Sequence, residues 1–243
     1  HLSAKIERRM LDSAELRVDT QDDTRTLRGY AAVFDSMSQP LFGFREVIRK
    51  GAFKKTVRES DIRALWNHDP NFVLGRKSAR TLKLEEDDKG LLTRIFPPST
   101  QWATDLMTSI DRGDVSQMSF GFQVVKDRWG EAGADRLPVR ELLEVRLLDV
   151  SPVTFPAYQQ TEVHVRALMD SVLTRIERGG VSAEERRAMR LALGNIMQEL
   201  QAEPESPHSA ESDTASRREP GAPHSEERQR TLFDRRKRLL ELS

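Results

Sequence analysis

The chain has no cysteine, which excludes disulfides, thiolate metal sites and a cysteine nucleophile, and points to an intracellular product. Aromatics make up only 6% of its 243 residues. No stretch approaches the ~18 to 20 apolar residues that span a bilayer. Histidine is scarce, with five in all, and no cluster has metal-ligand spacing, so neither a metal nor an organic cofactor is expected. Neither sign of charge is in excess, since 39 Lys and Arg face 39 Asp and Glu; no chain-wide field favours nucleic acid or an anionic membrane. His1 to Met10 lacks the apolar centre of a signal peptide. A soluble, unexported chain is expected, in which serine, threonine or water does any nucleophilic work. The chain starts at His1 and Met10 could open a reading frame, so residues 1–9 carry no weight in the fold expectation and 1–14 are taken as an N-terminal extension.

What is present is 37% hydrophobic residues, enough for one core but not for two full domains. From Glu15 to Tyr158, Val, Ile, Leu, Phe and Trp fall in bursts of four to eight separated by turn signals. Strands are expected at Glu15–Asp19, Leu27–Phe34, Phe44–Ile48, Ile62–Trp66, Ala79–Glu85, Gly90–Phe96, Met118–Lys126 and Val139–Val150. A short helix follows Gly51, and Trp102, Leu106, Met107 and Ile110 share one face of a second that ends at Gly113. Many strands with few helices between them predict an antiparallel barrel or sandwich over residues 15–160.

After Pro156 the period changes. Val165, Leu168, Met169, Val172, Leu173 and Ile176 form one helical stripe that Gly179 and Gly180 end. Ser182 and Glu185 make a capping box for a second amphipathic helix carrying Met189, Leu193, Ile196, Met197 and Leu200. The two helices of residues 161–200 are expected to cover the β domain or to form a dimer interface. Residues 201–228 contain no Leu, Ile, Val, Phe, Met, Trp or Tyr, so nothing offsets the entropy of ordering them and a disordered linker is expected. Residues 229–243 return to Leu232, Phe233, Leu239, Leu240 and Leu242 around Arg235–Arg238, as a basic amphipathic docking helix would.

Only His68 lies inside the β region away from its ends. Alternation along Ile62–Asp69 puts Ala64, Trp66 and His68 on one face and Asp69 on the other, so Asp69 is not expected to orient His68. In Ser116–Gln123, Met118, Phe120 and Phe122 point one way, and Ser119, Gly121 and Gln123 the other. Gly121 leaves the Ser119 face open, as would suit a peptide backbone passing close by. A hydroxyl nucleophile paired with an imidazole base needs a third group to hold the ring. The candidates are Asp149, which ends its strand before the proline-stiffened Val150–Tyr158, and Glu144, mid-strand beside Arg146. Parity forbids both from facing one site without a bulge, and Asp149 is favoured. Each of these residues also has an ordinary alternative as a solvated or hydrogen-bonded surface group.

Arg28–Phe34, Gly51–Phe53, Trp66-Asn-His-Asp69, Gln117–Phe122 and Leu148–Tyr158, in that order, resemble the tailed-phage prohead maturation proteases, distant relatives of the herpesvirus capsid-maturation proteases. The resemblance covers residues 15–160. It implies an α+β fold: a closed, mostly antiparallel β-barrel ringed by helices, here followed by a helical appendage and a disordered linker. It matches Ser119 to the nucleophile and His68 to the general base; the family often has Glu where this chain has Asp149, a shorter acid that must be brought closer. Oxyanion donors are expected from the Ser151–Phe155 loop, at Val153 and Thr154. The implied activity is a serine endopeptidase in the procapsid, within the host cytoplasm, cutting the capsid precursor or scaffold and itself. The implied partners are the major capsid protein precursor or scaffold protein and further copies of the chain. A noncatalytic assembly module is the alternative. Nucleic-acid binding through Arg235–Arg238 ranks lower, because the run is short and the chain neutral.

Overall fold

The computed structural model describes residues 6–11, 14–21, 24–41, 43–130, 135–155 and 162–201. One compact unit extends to Ile196, and of the unit that begins at Met197 only the end of a helix is described. The linker of residues 201–228 and the docking helix of 229–243 therefore lie outside the described residues, apart from Gln201.

Ten strands and four helices are described. The strands are β1 (Glu7–Leu11), β2 (Arg17–Gln21), β3 (Thr24–Val33), β4 (Arg45–Ile48), β5 (Arg63–Trp66), β6 (Asp69–Arg76), β7 (Leu82–Glu86), β8 (Gly90–Ile95), β9 (Gln117–Gly130) and β10 (Val139–Val153). The helices are α1 (Lys54–Glu59), α2 (Gln101–Asp111), α3 (Glu162–Glu177) and α4 (Ala183–Gln201). None of the described helices is long and apolar enough to cross a membrane.

The barrel expectation is corrected here. Among the described residues the strands form two open sheets, one ordered β1-β9-β10-β5-β6 with β4 also on β10, the other β2-β3-β8-β7. No ladder joins them. The sheets pack through one core in which Leu27, Ala31, Leu91 and Ile95 meet Met118, Phe120, Phe122, Leu147 and Val150. The outer strands, β1 and β6 of one sheet and β2 and β7 of the other, are not joined by a ladder among the described residues, and the first sheet is itself interrupted along β10. On one side β9 pairs with it over its whole length. On the other, Val139–Leu142 pair in parallel with β4, and Asp149 and Val150 in parallel with β5. Between them α1 is wedged in, with the Val145 amide donating to Ala52 O at 3.0 Å and the Leu147 amide to Thr56 Oγ1 at 2.9 Å. Backbone groups that a continuous sheet would pair are satisfied by a helix and its approach.

The helical stripes bury most of the described residues their period selects, Trp102 being partly buried, while the side chains of Val165 and Leu200 lie outside the described residues. Leu106, Met107 and Ile110 of α2, Leu168, Met169, Val172, Leu173 and Ile176 of α3, and Met189, Leu193 and Ile196 of α4 are all buried. The capping box forms: the Glu185 amide donates to Ser182 Oγ at 3.1 Å and the Ser182 amide to Glu185 Oε2 at 2.9 Å.

Two strands were not expected. β6 is split from β5 by a two-residue turn at Asn67 and His68, both with positive φ, where the sequence pattern runs on as a strand. β1, set aside as part of an extension, pairs antiparallel with β9, Met10 opposite Ser119 and Arg9 opposite Phe120.

Candidate active site

Ser119 lies on β9 between the core residues Met118 and Phe120, so alternation turns its hydroxyl to the outer face. Gly121 and, across the ladder, Asp149 and Ser151 of β10 share that face, because directly opposed residues project to the same side: Asp149 faces Gly121 and Ser151 faces Ser119. Asp149 reaches this face only through a bulge. Val145, Leu147 and Val150 belong to the core, and strict alternation from Leu147 would send Asp149 inward with them. The register shift between Leu147 and Asp149 makes Leu148 the extra residue and turns the carboxylate outward.

His68 comes from the turn between β5 and β6. Its φ of 58° and that of Asn67, 53°, place both in the left-handed region, which asparagine tolerates and histidine adopts at a cost of about 1–3 kcal/mol. Asn67 holds the turn against β10. Its amide donates to Pro152 O at 3.0 Å, its Oδ1 accepts from the Thr154 amide at 2.8 Å, and its Nδ2 donates to Thr154 Oγ1 at 3.2 Å.

These elements bring three of the expected residues into one line. His68 Nδ1 is 2.5 Å from Asp149 Oδ1, and His68 Nε2 is 2.7 Å from Ser119 Oγ. Ser151 Oγ donates to Asp149 Oδ1 at 2.8 Å. The geometry accommodates the tautomer with the proton on Nδ1, which donates to the Asp149 carboxylate and leaves Nε2 to accept from the Ser119 hydroxyl. The hydroxyl also lies 3.0 Å from Arg9 O, to which it can donate instead. It has one proton, so the two contacts compete. Ser119 is fully buried, and the His68 and Asp149 side chains are 6% and 12% exposed, which places the line in a water-poor setting.

The space over Gly121 is not open to a passing peptide. A Cβ built at Gly121 would collide with Asp149 Oδ2, so the glycine is what admits the carboxylate. Glu144 stands apart, 3.1 Å from Lys55 Nζ in a half-exposed ion pair; its partner is Lys55 and not the neighbouring Arg146. Asp69 turns away from His68, accepting the Asn71 amide at 2.8 Å. The Thr154 amide is taken by Asn67 and Val153 is a ladder residue opposite Gln117, so Thr154 offers no free oxyanion donor in this arrangement. Among the described residues no three His, Asp or Glu side chains are grouped as metal ligands would be.

Sequence reasoning assigned no contact here to Ser151, named only as the start of the oxyanion loop, to Asn67, named only within its motif, or to Arg9. Ser151 could have been found, since it stands two residues after Asp149 and so shares its face. On the opposite face of β1 and β9 lies a buried ionic network. Arg9 bonds Glu46 in two-pronged fashion at 2.7 and 2.9 Å and Glu7 at 2.8 Å; Arg140 bonds Glu7 and Asp127, each at 2.9 Å. Arg175 and Ser171 of α3 reach Asp127 and Glu7 at 3.2 and 3.0 Å. Burial alone would raise the Glu7 carboxyl, but the Arg140 and Arg9 guanidiniums outweigh it and hold it at about 2.

Residues 12–174 match the family model described as caudovirus prohead serine protease. The prohead protease of Enterobacteria phage HK97 is 27% identical over 167 residues, covering 67% of this chain and 69% of that protein. The solved structure of the bacteriophage T4 capsid assembly protease, gp21, overlaps 60% of this chain and 98% of that one at 9% identity, with a TM-score of 0.39. With the family model spanning most of the sequence, this chain belongs to the caudovirus prohead serine protease family.

Proposed function

We propose that the chain is a serine endopeptidase that acts in the procapsid on the capsid precursor or scaffold, and on itself, through Ser119, His68 and Asp149. The observation that carries this is the continuous line Ser119 Oγ–His68 Nε2 and His68 Nδ1–Asp149 Oδ1, at 2.7 and 2.5 Å. His68 Nε2 takes the hydroxyl proton as Ser119 Oγ attacks the peptide carbonyl carbon, and Asp149 stabilises the imidazolium without taking its proton. The tetrahedral adduct collapses as the proton passes to the leaving nitrogen, giving an acyl ester on Ser119 and a free amine. A water then gives its proton to His68 and attacks the ester, releasing the acid and restoring the hydroxyl.

The shorter acid is accommodated by two features: the bulge at Leu148 turns Asp149 outward, and Gly121 leaves it room. Residues 15–160 are the protease domain in this reading. The segments 161–200, 201–228 and 229–243 serve as a helical pair that covers it or joins a second copy, a linker cut by the enzyme, and a docking helix. The test incubates the purified chain with its capsid precursor, comparing wild type with Ser119→Ala, His68→Ala and Asp149→Ala. Wild type cuts the precursor and loses its own C-terminal segment, while Ser119→Ala stays full length. Equal fragment patterns from wild type and Ser119→Ala would overturn the proposal.

A further inference from the structure

β9 has two neighbours in its sheet, β10 on one side and β1 on the other. An extended peptide that pairs with the Ser119 strand can therefore lie only where β1 lies. β1 places a carbonyl, that of Arg9, 3.0 Å from Ser119 Oγ, and it precedes the residues that match the family, which begin at 12. We infer that β1 occupies the substrate track, and that the track selects a peptide of the form Glu-x-Arg, cut after the arginine. This rests on the serine endopeptidase reading and assigns its subsites.

The chemistry of the two subsites is set by side chains that β1 does not supply. At the position of Arg9 the track offers the carboxylate of Glu46, 3% exposed and bound to both Arg9 Nε and Nη2. The ring of Phe122 lies 5.4 Å from the guanidinium carbon. At the position of Glu7 it offers the guanidinium of Arg140, 1% exposed. When β1 leaves, Glu46, Asp127, Arg140 and Arg175 remain, two of each sign, so the compartment stays neutral. Glu46 nevertheless loses its closest partner, its next guanidinium being Arg140 at 3.5 Å. A peptide with an apolar residue there leaves a buried carboxylate poorly paired, and is rejected for that reason more than for lost attraction. The residues of β1 that alternate with these, Arg8 and Met10, lie on the Ser119 side of the strand opposite Gly121 and Ser119.

Two consequences follow. The chain's own β1 competes with substrate at the high effective concentration of a tethered ligand. And the triplet occurs once beyond residue 201, as Glu226-Glu227-Arg228, at the junction between the linker and docking-helix segments, where a cut after Arg228 would release the latter.

The test uses the full chain with synthetic peptides of residues 4–14 and 222–232, each compared with its Arg→Ala form at the position of Arg9 or Arg228. Labelling of Ser119 by a small fluorophosphonate is measured in parallel. Both arginine peptides are expected to be cut after the arginine, with kcat/KM roughly tenfold or more above their alanine forms. Glu46→Gln should bring that ratio towards one; if this variant fails to fold, the peptide comparison on wild type still decides. Cleavage of the arginine and alanine peptides at equal rates, or Ser119 labelling with neither arginine peptide cut, overturns the inference and leaves the hydrolase reading standing. Absence of both labelling and cleavage removes the hydrolase reading, and this inference with it.

Discussion

The two faces of the β1-β9-β10 ladder bury polar groups by opposite means. On one, small residues and a glycine make room for a hydroxyl, an imidazole and a single carboxylate joined end to end. On the other, three carboxylates and three guanidiniums cancel in a compact network that ties β1, β4, β9, β10 and α3 together. Burial is tolerable on the second face because every charge has a partner. On the first, each polar group is hydrogen-bonded to the next, Ser119 to His68 and His68 and Ser151 to Asp149. One face carries a closed set of ion pairs, the other a hydroxyl–imidazole–carboxylate line.

That contrast can be broken at several points, beginning with the largest effect. Arg140→Met removes the centre of the ionic network and leaves Glu7 and Asp127 short of partners, so unfolding stability should drop by about 3–5 kcal/mol in chemical denaturation. Gly121→Ala puts a methyl where Asp149 Oδ2 sits; kcat should fall by about 100-fold with the thermal midpoint little changed. The pH dependence comes from Glu7. Its folded pKa of about 2 lies below the ordinary carboxylate value of 4.5, so its contribution is fully present above pH 4.5 and is lost as pH falls towards 2. Glu7→Gln should flatten the stability profile in that window, measured by denaturation at stepped pH.

Smaller effects sharpen the same contrast. Ser151→Ala deletes one hydrogen bond to Asp149; kcat should fall about tenfold, with KM unchanged. Glu144→Gln breaks only the half-exposed pair with Lys55, and should change stability by less than about 1 kcal/mol and turnover not at all.

How much of this was legible follows from what period and composition can encode. Ser119 falls on its outward face because Met118, Phe120 and Phe122 alternate about it, and the helical period selects the buried Leu106, Ile110, Leu168, Val172, Met189 and Leu193. Asp149 was singled out, yet simple alternation puts it on the face of Leu147; the bulge at Leu148 reverses that, and no residue type announces it. The turn at Asn67 and His68 has positive φ at two residues, neither a glycine, so the pattern there reads as continuous strand. β1 hides for another reason. Its inward positions are Glu7 and Arg9, which look like a solvated segment until their partners on β4 and β10 are known. Strand count predicts a barrel or a sandwich and family likeness a closed barrel; the described strands form two open sheets over one core, and neither signal encodes which strand edges pair.

The most direct measurement is the site of covalent labelling by a fluorophosphonate, located by mass spectrometry of the full chain. If Ser119 is a nucleophile activated by His68, the label appears on Ser119 alone, and His68→Ala abolishes it while retaining the wild-type circular dichroism. Labelling of Ser119 that is equally fast without His68, or confined to other serines, would contradict the account.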